Sequence, residues 1–161
     1  MTWRVEDRSD AQPGPRTFEI EESLGYLINR AARAFANRLA SEMRPFDVGI
    51  GQWAVLMHLW ANDGLTQAQL ARRVAIEQPT MVRTIDRMER DGLVARTPDP
   101  SDRRASRIAL TERGWALRDD LVPLADGVNR AATATLTDKE VATLRRLLAK
   151  LVAVEAATLS L

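Results

Sequence analysis

Cysteine is absent from the 161 residues. Disulfides, thiolate metal sites and thiol-based redox sensing are excluded with it. Histidine occurs once, as His58, so a metal centre would have to be assembled almost wholly from carboxylates. There is no G-x-S-x-G, no G-x-x-x-x-G-K, and no G-x-G-x-x-G following a strand pattern. Hydrolase, phosphate-loop and dinucleotide chemistry therefore find no foothold, and neither an enzyme nor a bound cofactor or metal is expected. Long apolar runs are missing too. The longest, residues 53–61, contains His58 and is far too short to span a bilayer. No basic start leads into an apolar core at the N-terminus, so a cytoplasmic protein without membrane association is expected. A large charge of one sign is lacking as well, the net value being +1.

What remains is an ordinary folding composition, with 45% hydrophobic and 28% charged residues, enough for one domain with its own core. Charge is unevenly placed. Residues 1–71 sum to −2 and residues 114–161 to zero, while residues 72–113 hold 10 arginines against 7 acids, or +3. A dimer would present that basic segment twice. Residues 1–16 mix charge, Pro13, Gly14 and Pro15 with few apolar side chains and read as a flexible arm. Residues 17–161 read as a single domain.

Across residues 18–44, Ile20, Leu24, Leu27, Ile28, Ala31, Phe35 and Leu39 recur by threes and fours, predicting a long helix that Pro45 ends. A second helix, about residues 51–62, carries Trp53, Leu56, Met57, Leu59 and Trp60. Its two tryptophans suit plain core or the aromatic wall of a ligand cavity. His58, within the same apolar helix, reads first as a core histidine, with a ligand contact as the alternative. Thr111 can cap a helix from about Glu112 to Ala132, which Pro123 should kink or interrupt. Thr137 and Glu140 form a capping box for a last helix, with Leu136 and Val141 as its hydrophobic staple. That helix carries Val141, Leu144, Leu147, Leu148, Leu151 and Val152, more apolar surface than a monomer should expose. Dimerisation through the two ends of the chain covers it.

Between these ends, residues 66–111 read as one device. Thr66 and Gln69 make a T-x-x-Q capping box, with Leu65 and Leu70 as staple, so a short helix starts near Gln67. A turn near residues 75–78 follows, and Pro79 opens a second helix at its first position. On that helix Met81, Val82, Ile85 and Met88 share an apolar side, opposite Thr80, Arg83, Thr84 and Arg87. An Arg/Thr face suits the major groove, where guanidinium pairs with guanine and threonine meets the thymine methyl. Asp91-Gly92 stops the helix. Residues 93–96 and the alternating residues 106–110 predict a hairpin around Thr97-Pro98-Asp99-Pro100-Ser101. Its tip carries Asp102, Arg103 and Arg104, a basic prong of the kind that enters a minor groove. The fold expected is mainly α with a small β-hairpin wing: a winged helix-turn-helix with the N- and C-terminal helices forming a dimerisation domain.

Asp102-Arg103-Arg104 followed by Ile108-Ala109-Leu110-Thr111 resembles the D-x-R…LT signature of the MarR family of transcriptional regulators, and residues 76–86 resemble its SlyA-type branch. The likeness runs over residues 20–158. It implies a homodimer interlocked through residues 17–45 and 112–161, with residues 46–111 binding a palindromic double-stranded operator. Arg83 is the first choice for base readout, with Gln78, Thr80, Thr84 and Arg87 reading bases or holding phosphate. Arg104 matches the family's minor-groove arginine, Asp102 holds the wing in shape, and Arg103 meets phosphate. The resemblance further implies release by a small aromatic carboxylate or phenolic effector, with Arg33 for a carboxylate and Trp53, Met57 and His58 around a ring. The competing reading is a winged-helix association module without DNA readout, which would more often carry apolar or acidic residues where Arg83 and Arg87 stand.

Overall fold

The structure, a computed structural model, describes residues 19–99 and 106–158. The chain divides into two compact units, residues 1–33 and 34–161. The first contributes a 3-10 turn at Ile20–Glu22 and the opening turns of α1 (Leu24–Met43). The helix expected from residue 18 thus begins later, because Ser23 turns extended (φ −65°, ψ 123°) and its carbonyl accepts the first helical bond, from Leu27 N at 2.9 Å. Leu24, Leu27 and Ile28 in this unit face solvent.

The second unit holds α2 (Ile50–Ala61), β1 (Leu65–Thr66), α3 (Gln67–Val74), α4 (Gln78–Arg90), β2 (Val94–Pro98), β3 (Ser106–Leu110), α5 (Glu112–Ala132) and α6 (Asp138–Thr158). Local chemistry sets most boundaries. Thr66 Oγ1 accepts from Gln69 N at 3.2 Å while Gln69 Oε1 accepts from Thr66 N at 2.8 Å, so the expected capping box starts α3. Thr137 and Glu140 make the same reciprocal pair ahead of α6. Thr111 Oγ1 caps α5 by accepting from Gly114 N at 3.1 Å. Pro79 lies one place inside α4, which Gln78 opens.

Two helix ends close in the same way. Leu93 N donates to Met88 O and Gly92 N to Glu89 O, with Gly92 left-handed at φ 68°. Leu93 N is thereby used by the helix, which is why β2 begins at Val94 rather than at Leu93. Ile76 N donates to Ala71 O, with Ala75 left-handed at φ 57°. That single residue makes the tight turn between α3 and α4. Inside α5, Pro123 neither stops nor splits the helix.

The sheet is antiparallel in the order β1-β3-β2, with Val94 opposite Leu110, Arg96 opposite Ile108 and Leu65 opposite Ile108 on the other edge. The sequence predicts the hairpin; the two-residue β1 is too short to carry a period and was not anticipated. One core gathers Met43, Leu56, Leu59, Leu70, Met81, Ile85, Met88, Leu93, Ile108 and Leu121, all fully buried. It welds α4 to α2, α3, α5 and the sheet. By contrast, Leu144, Leu147, Leu148, Leu151 and Val152 of α6 are exposed. Among the described residues, no helix is long and apolar enough to cross a membrane.

Candidate nucleic-acid interface

The helix α4 divides into three faces. Its back, Met81, Ile85 and Met88, is buried in the core. Val82, expected on that side, instead lies at its margin and is 37% exposed. At roughly 100° per residue it falls beside Asp86 and Glu89 rather than beside Ile85. The front carries Thr80, Arg83 and Arg87 into solvent, with Thr84 half-buried and Gln78 exposed at the helix start. Among the described residues neither Arg83 nor Arg87 has an ion-pair partner, so both guanidiniums are free to meet an anion or a base edge. Thr84 Oγ1 donates to Thr80 O at 3.0 Å, which leaves its methyl group and the oxygen's lone pairs for other contacts.

The third face is acidic and is satisfied from the wing. Arg96 of β2 sends Nη2 to Asp86 Oδ1 at 2.5 Å and Nη1 to Glu89 Oε2, and its backbone N–H donates to Glu89 Oε1 at 3.3 Å. Partial burial lowers the Arg96 pKa, but the hydrogen bonds and charges of Asp86 and Glu89 outweigh it and leave the guanidinium held above its usual range.

At the far end, Gln52 is buried near the start of α2. It accepts from Gly49 N at 2.9 Å and donates from Nε2 to Asp91 Oδ2 at 2.7 Å. A carboxylate at a helix C-terminus sits against the negative end of the dipole, and the Gln52 amide offsets that. Arg113 of α5 donates to Asp91 O at 2.9 Å. Between the start of α2 and the front of α4 lies a shallow cleft of about 230 Å³, lined by Gly49, Gly51, Gln52, Thr80, Arg83, Thr84 and Arg87. Such a surface, basic at the front and anchored behind, can hold a polyanion and present side chains to its bases.

The MarR family model matches residues 50–106, the stretch that runs from the start of α2 through α4 and β2 to the first residue of β3. A probable transcriptional regulator from Pseudomonas aeruginosa is 30% identical, with 83% of this chain and 99% of that one covered and a TM-score of 0.76. The chain belongs to the MarR family of transcriptional regulators. It is also similar to a mutant MarR from E. coli complexed with operator DNA, at 29% identity, 80% and 92% coverage and a TM-score of 0.75. BpsR of Bordetella bronchiseptica, whose DNA binding is regulated by 6-hydroxynicotinic acid, is 26% identical, with 84% and 96% coverage and a TM-score of 0.78.

Within this MarR-family chain the other expected site residues fall unevenly. Asp102, Arg103 and Arg104 lie outside the described residues, as does the arm at 1–16. Arg107, one of the ten arginines of the basic segment 72–113, is engaged: Nη1 donates to Gly64 O at 3.1 Å and Nε lies 3.0 Å from Asp99 Oδ2. Asp99 is itself buried, so the ion pair lies within the wing, while the bond to Gly64 ties the wing to the turn before β1. Of the ligand candidates, Trp53 is 7% exposed and meets Trp60 edge-on at 5.7 Å. Met57 is 45% exposed and His58 half-buried on the same helix, and Arg33 is exposed on α1. Three further residues escaped the sequence reading. Gln52 meets Asp91 across 39 positions, and Arg96 reaches back from its strand to the preceding helix across 7 and 10. Gly114 left one trace, a glycine in the first turn of a helix where alanine is worth about 1 kcal/mol more.

Proposed function

We propose that this protein is a homodimeric, sequence-specific repressor that binds a palindromic operator and releases it on binding a small aromatic acid or phenol. The observation that carries the reading is the front of α4. Two arginines, without an ion-pair partner among the described residues, and two threonines stand there on a helix whose back is locked in the core. Arg83, at the centre of that face, reads base edges; Gln78, Thr80, Thr84 and Arg87 read or hold phosphate beside it. Arg104 at the wing tip enters the minor groove, Asp102 braces it and Arg103 meets phosphate. Two heads would meet successive major grooves roughly 34 Å apart.

Homodimerisation through residues 17–45 and 112–161 is supported by unpartnered apolar side chains in both segments: Leu24, Leu27 and Ile28 in one, and Leu144, Leu147, Leu148, Leu151 and Val152 in the other. The likeness of residues 76–86 to the SlyA-type branch supports that narrower placement. Control of BpsR by 6-hydroxynicotinic acid supports an aromatic acid as effector here. A ligand acts this way through unequal affinity for the DNA-competent and incompetent states. Arg33, Trp53, Met57 and His58 are the positions to substitute while tryptophan emission and operator release are followed.

The test is footprinting on the promoter regions flanking the gene, followed by affinity measurement on the protected duplex. Arg83→Ala should cost roughly 1–3 kcal/mol and relax sequence preference. A protein that protects no duplex at low salt, or an Arg83→Ala variant that binds as wild type does, overturns the assignment.

A further inference from the structure

The wing strand β2 presents an anomaly on its inner face. Strand side chains alternate, so Val94 and Arg96 point to the same side, opposite Leu110 and Ile108 of β3. Val94, Ile108 and Leu110 are core. Arg96 thus occupies the next inward place, where the core runs out, and a guanidinium there must be satisfied from neighbouring elements. Asp86 and Glu89, three residues apart on one flank of α4, satisfy it, and Glu89 also accepts the Arg96 backbone N–H. The carboxylates gain as well. They lie on the helix that carries Arg83 and Arg87, where uncompensated negative charge would oppose a phosphate backbone.

We propose that Arg96 is a positioning residue for DNA binding, whose guanidinium fastens the base of the wing to the acidic flank of α4 so that groove-reading helix and wing engage a duplex as one body. The inference rests on the DNA-binding reading above and adds a coupling to it. Arg96 itself touches no DNA. Its planar fork meets two carboxylates at once, whereas lysine supplies a single point charge.

Two measurements on the full-length protein test this, one with DNA and one without. In the absence of DNA, hydrogen exchange at the β2 and β3 amides should accelerate at least about tenfold in Arg96→Met, and in the pair Asp86→Asn with Glu89→Gln, relative to the α2 amides. With the duplex that wild type protects, Arg96→Met should lose at least about tenfold in affinity, equivalent to one charge-assisted hydrogen bond. Its dependence of log affinity on log salt should shallow by about 0.9 for each wing-held phosphate lost. A merely structural role lowers the folded fraction and leaves that slope unchanged. Arg96→Lys should recover part of both effects. The carboxylate pair should lower the ratio of operator to random-sequence affinity, and adding Arg96→Met to it should cost little more, because one linkage has already been cut.

Additive losses overturn the proposal. So does an unchanged salt slope, or a carboxylate variant that binds every duplex more tightly, since Asp86 and Glu89 would then act only as repelling charges. Should Arg96→Met fail to fold, Arg96→Lys and the carboxylate pair carry the same comparisons. Faster wing exchange in a protein that binds no duplex would retain the mechanical link and remove the DNA-binding reading alone.

Discussion

Gly114→Ala should be among the most damaging single-methyl additions in the molecule. A Cβ built there lies 2.2 Å from the Leu93 carbonyl oxygen, 3.0 Å from Leu110 Cδ2 and 3.3 Å from the Leu93 carbonyl carbon. An ordinary carbon–oxygen contact is about 3.3 Å, so the start of α5 must withdraw by about 1 Å. Backbone cannot yield there as a flexible side-chain tip would. The same carbonyl accepts Thr111 N at 3.1 Å, Thr111 Oγ1 donates to Gly92 O at 2.6 Å, and Trp60 Nε1 donates to Gly114 O at 2.9 Å. Overpacking costs about 1–3 kcal/mol. One or two broken hydrogen bonds add about 1 kcal/mol each. Alanine's helical preference returns about 1 kcal/mol. The net loss should be about 2–3 kcal/mol, read from urea unfolding at fixed protein concentration. Gly51→Ala is the internal control: nothing lies within 4 Å of its Cβ, and it should match wild type or exceed it. If Gly114→Ala unfolds within about 0.5 kcal/mol of wild type, the close approach of α5 to the α4–β2 corner is wrong.

Ala75 holds a left-handed conformation at φ 57°, which costs an L-residue about 1–2 kcal/mol. Ala75→Gly should therefore gain about 0.5–1 kcal/mol after glycine's own entropic cost, visible as a raised urea midpoint with unchanged slope. Hydrogen bonds from the Thr137 backbone and hydroxyl hold the Glu140 carboxyl below the ordinary glutamate value. A carboxylate depressed in the folded state stabilises at and above that value and loses its contribution as pH falls through the lower folded one. The first turn of α6 should accordingly loosen on acidification, followed by the Thr137 amide shift, and Glu140→Gln should abolish the acid step.

What could be read in the sequence was what closes over three or four residues. Thr66/Gln69 and Thr137/Glu140 are reciprocal pairs at fixed spacing, and both mark helix starts in the structure. Asp91-Gly92 marks a stop because the left-handed position favours glycine. Ser106–Leu110 alternates cleanly because one of its faces is core. What could not be read depends on which distant segments meet. Gln52 reaches Asp91 across 39 positions and Arg107 reaches Gly64 across 43, and nothing near either residue announces its partner. Arg107 counts toward the positive excess of residues 72–113 because composition cannot separate a free guanidinium from a paired one. Val82 looked like core because its place at the edge of the stripe is settled by neighbours, here the side of α4 that carries Asp86 and Glu89. Trp53 was open between core and cavity wall; it is buried and packs edge-on against Trp60, an arrangement compatible with either.

The contacts that escaped the sequence converge on one helix. The α4 helix is buried along Met81, Ile85 and Met88. Its end is tied to α2 through Gln52 and to α5 through Arg113, while its flank is tied to the wing through Arg96. Gly114 lets α5 approach the residue where α4 passes into β2. A helix fixed at its back, its end and one flank cannot tilt alone, because any rotation that frees the front must break one of these hydrogen bonds or reopen the core. Changes in how Arg83 and Arg87 are presented therefore have to move α2, α5 and the wing together.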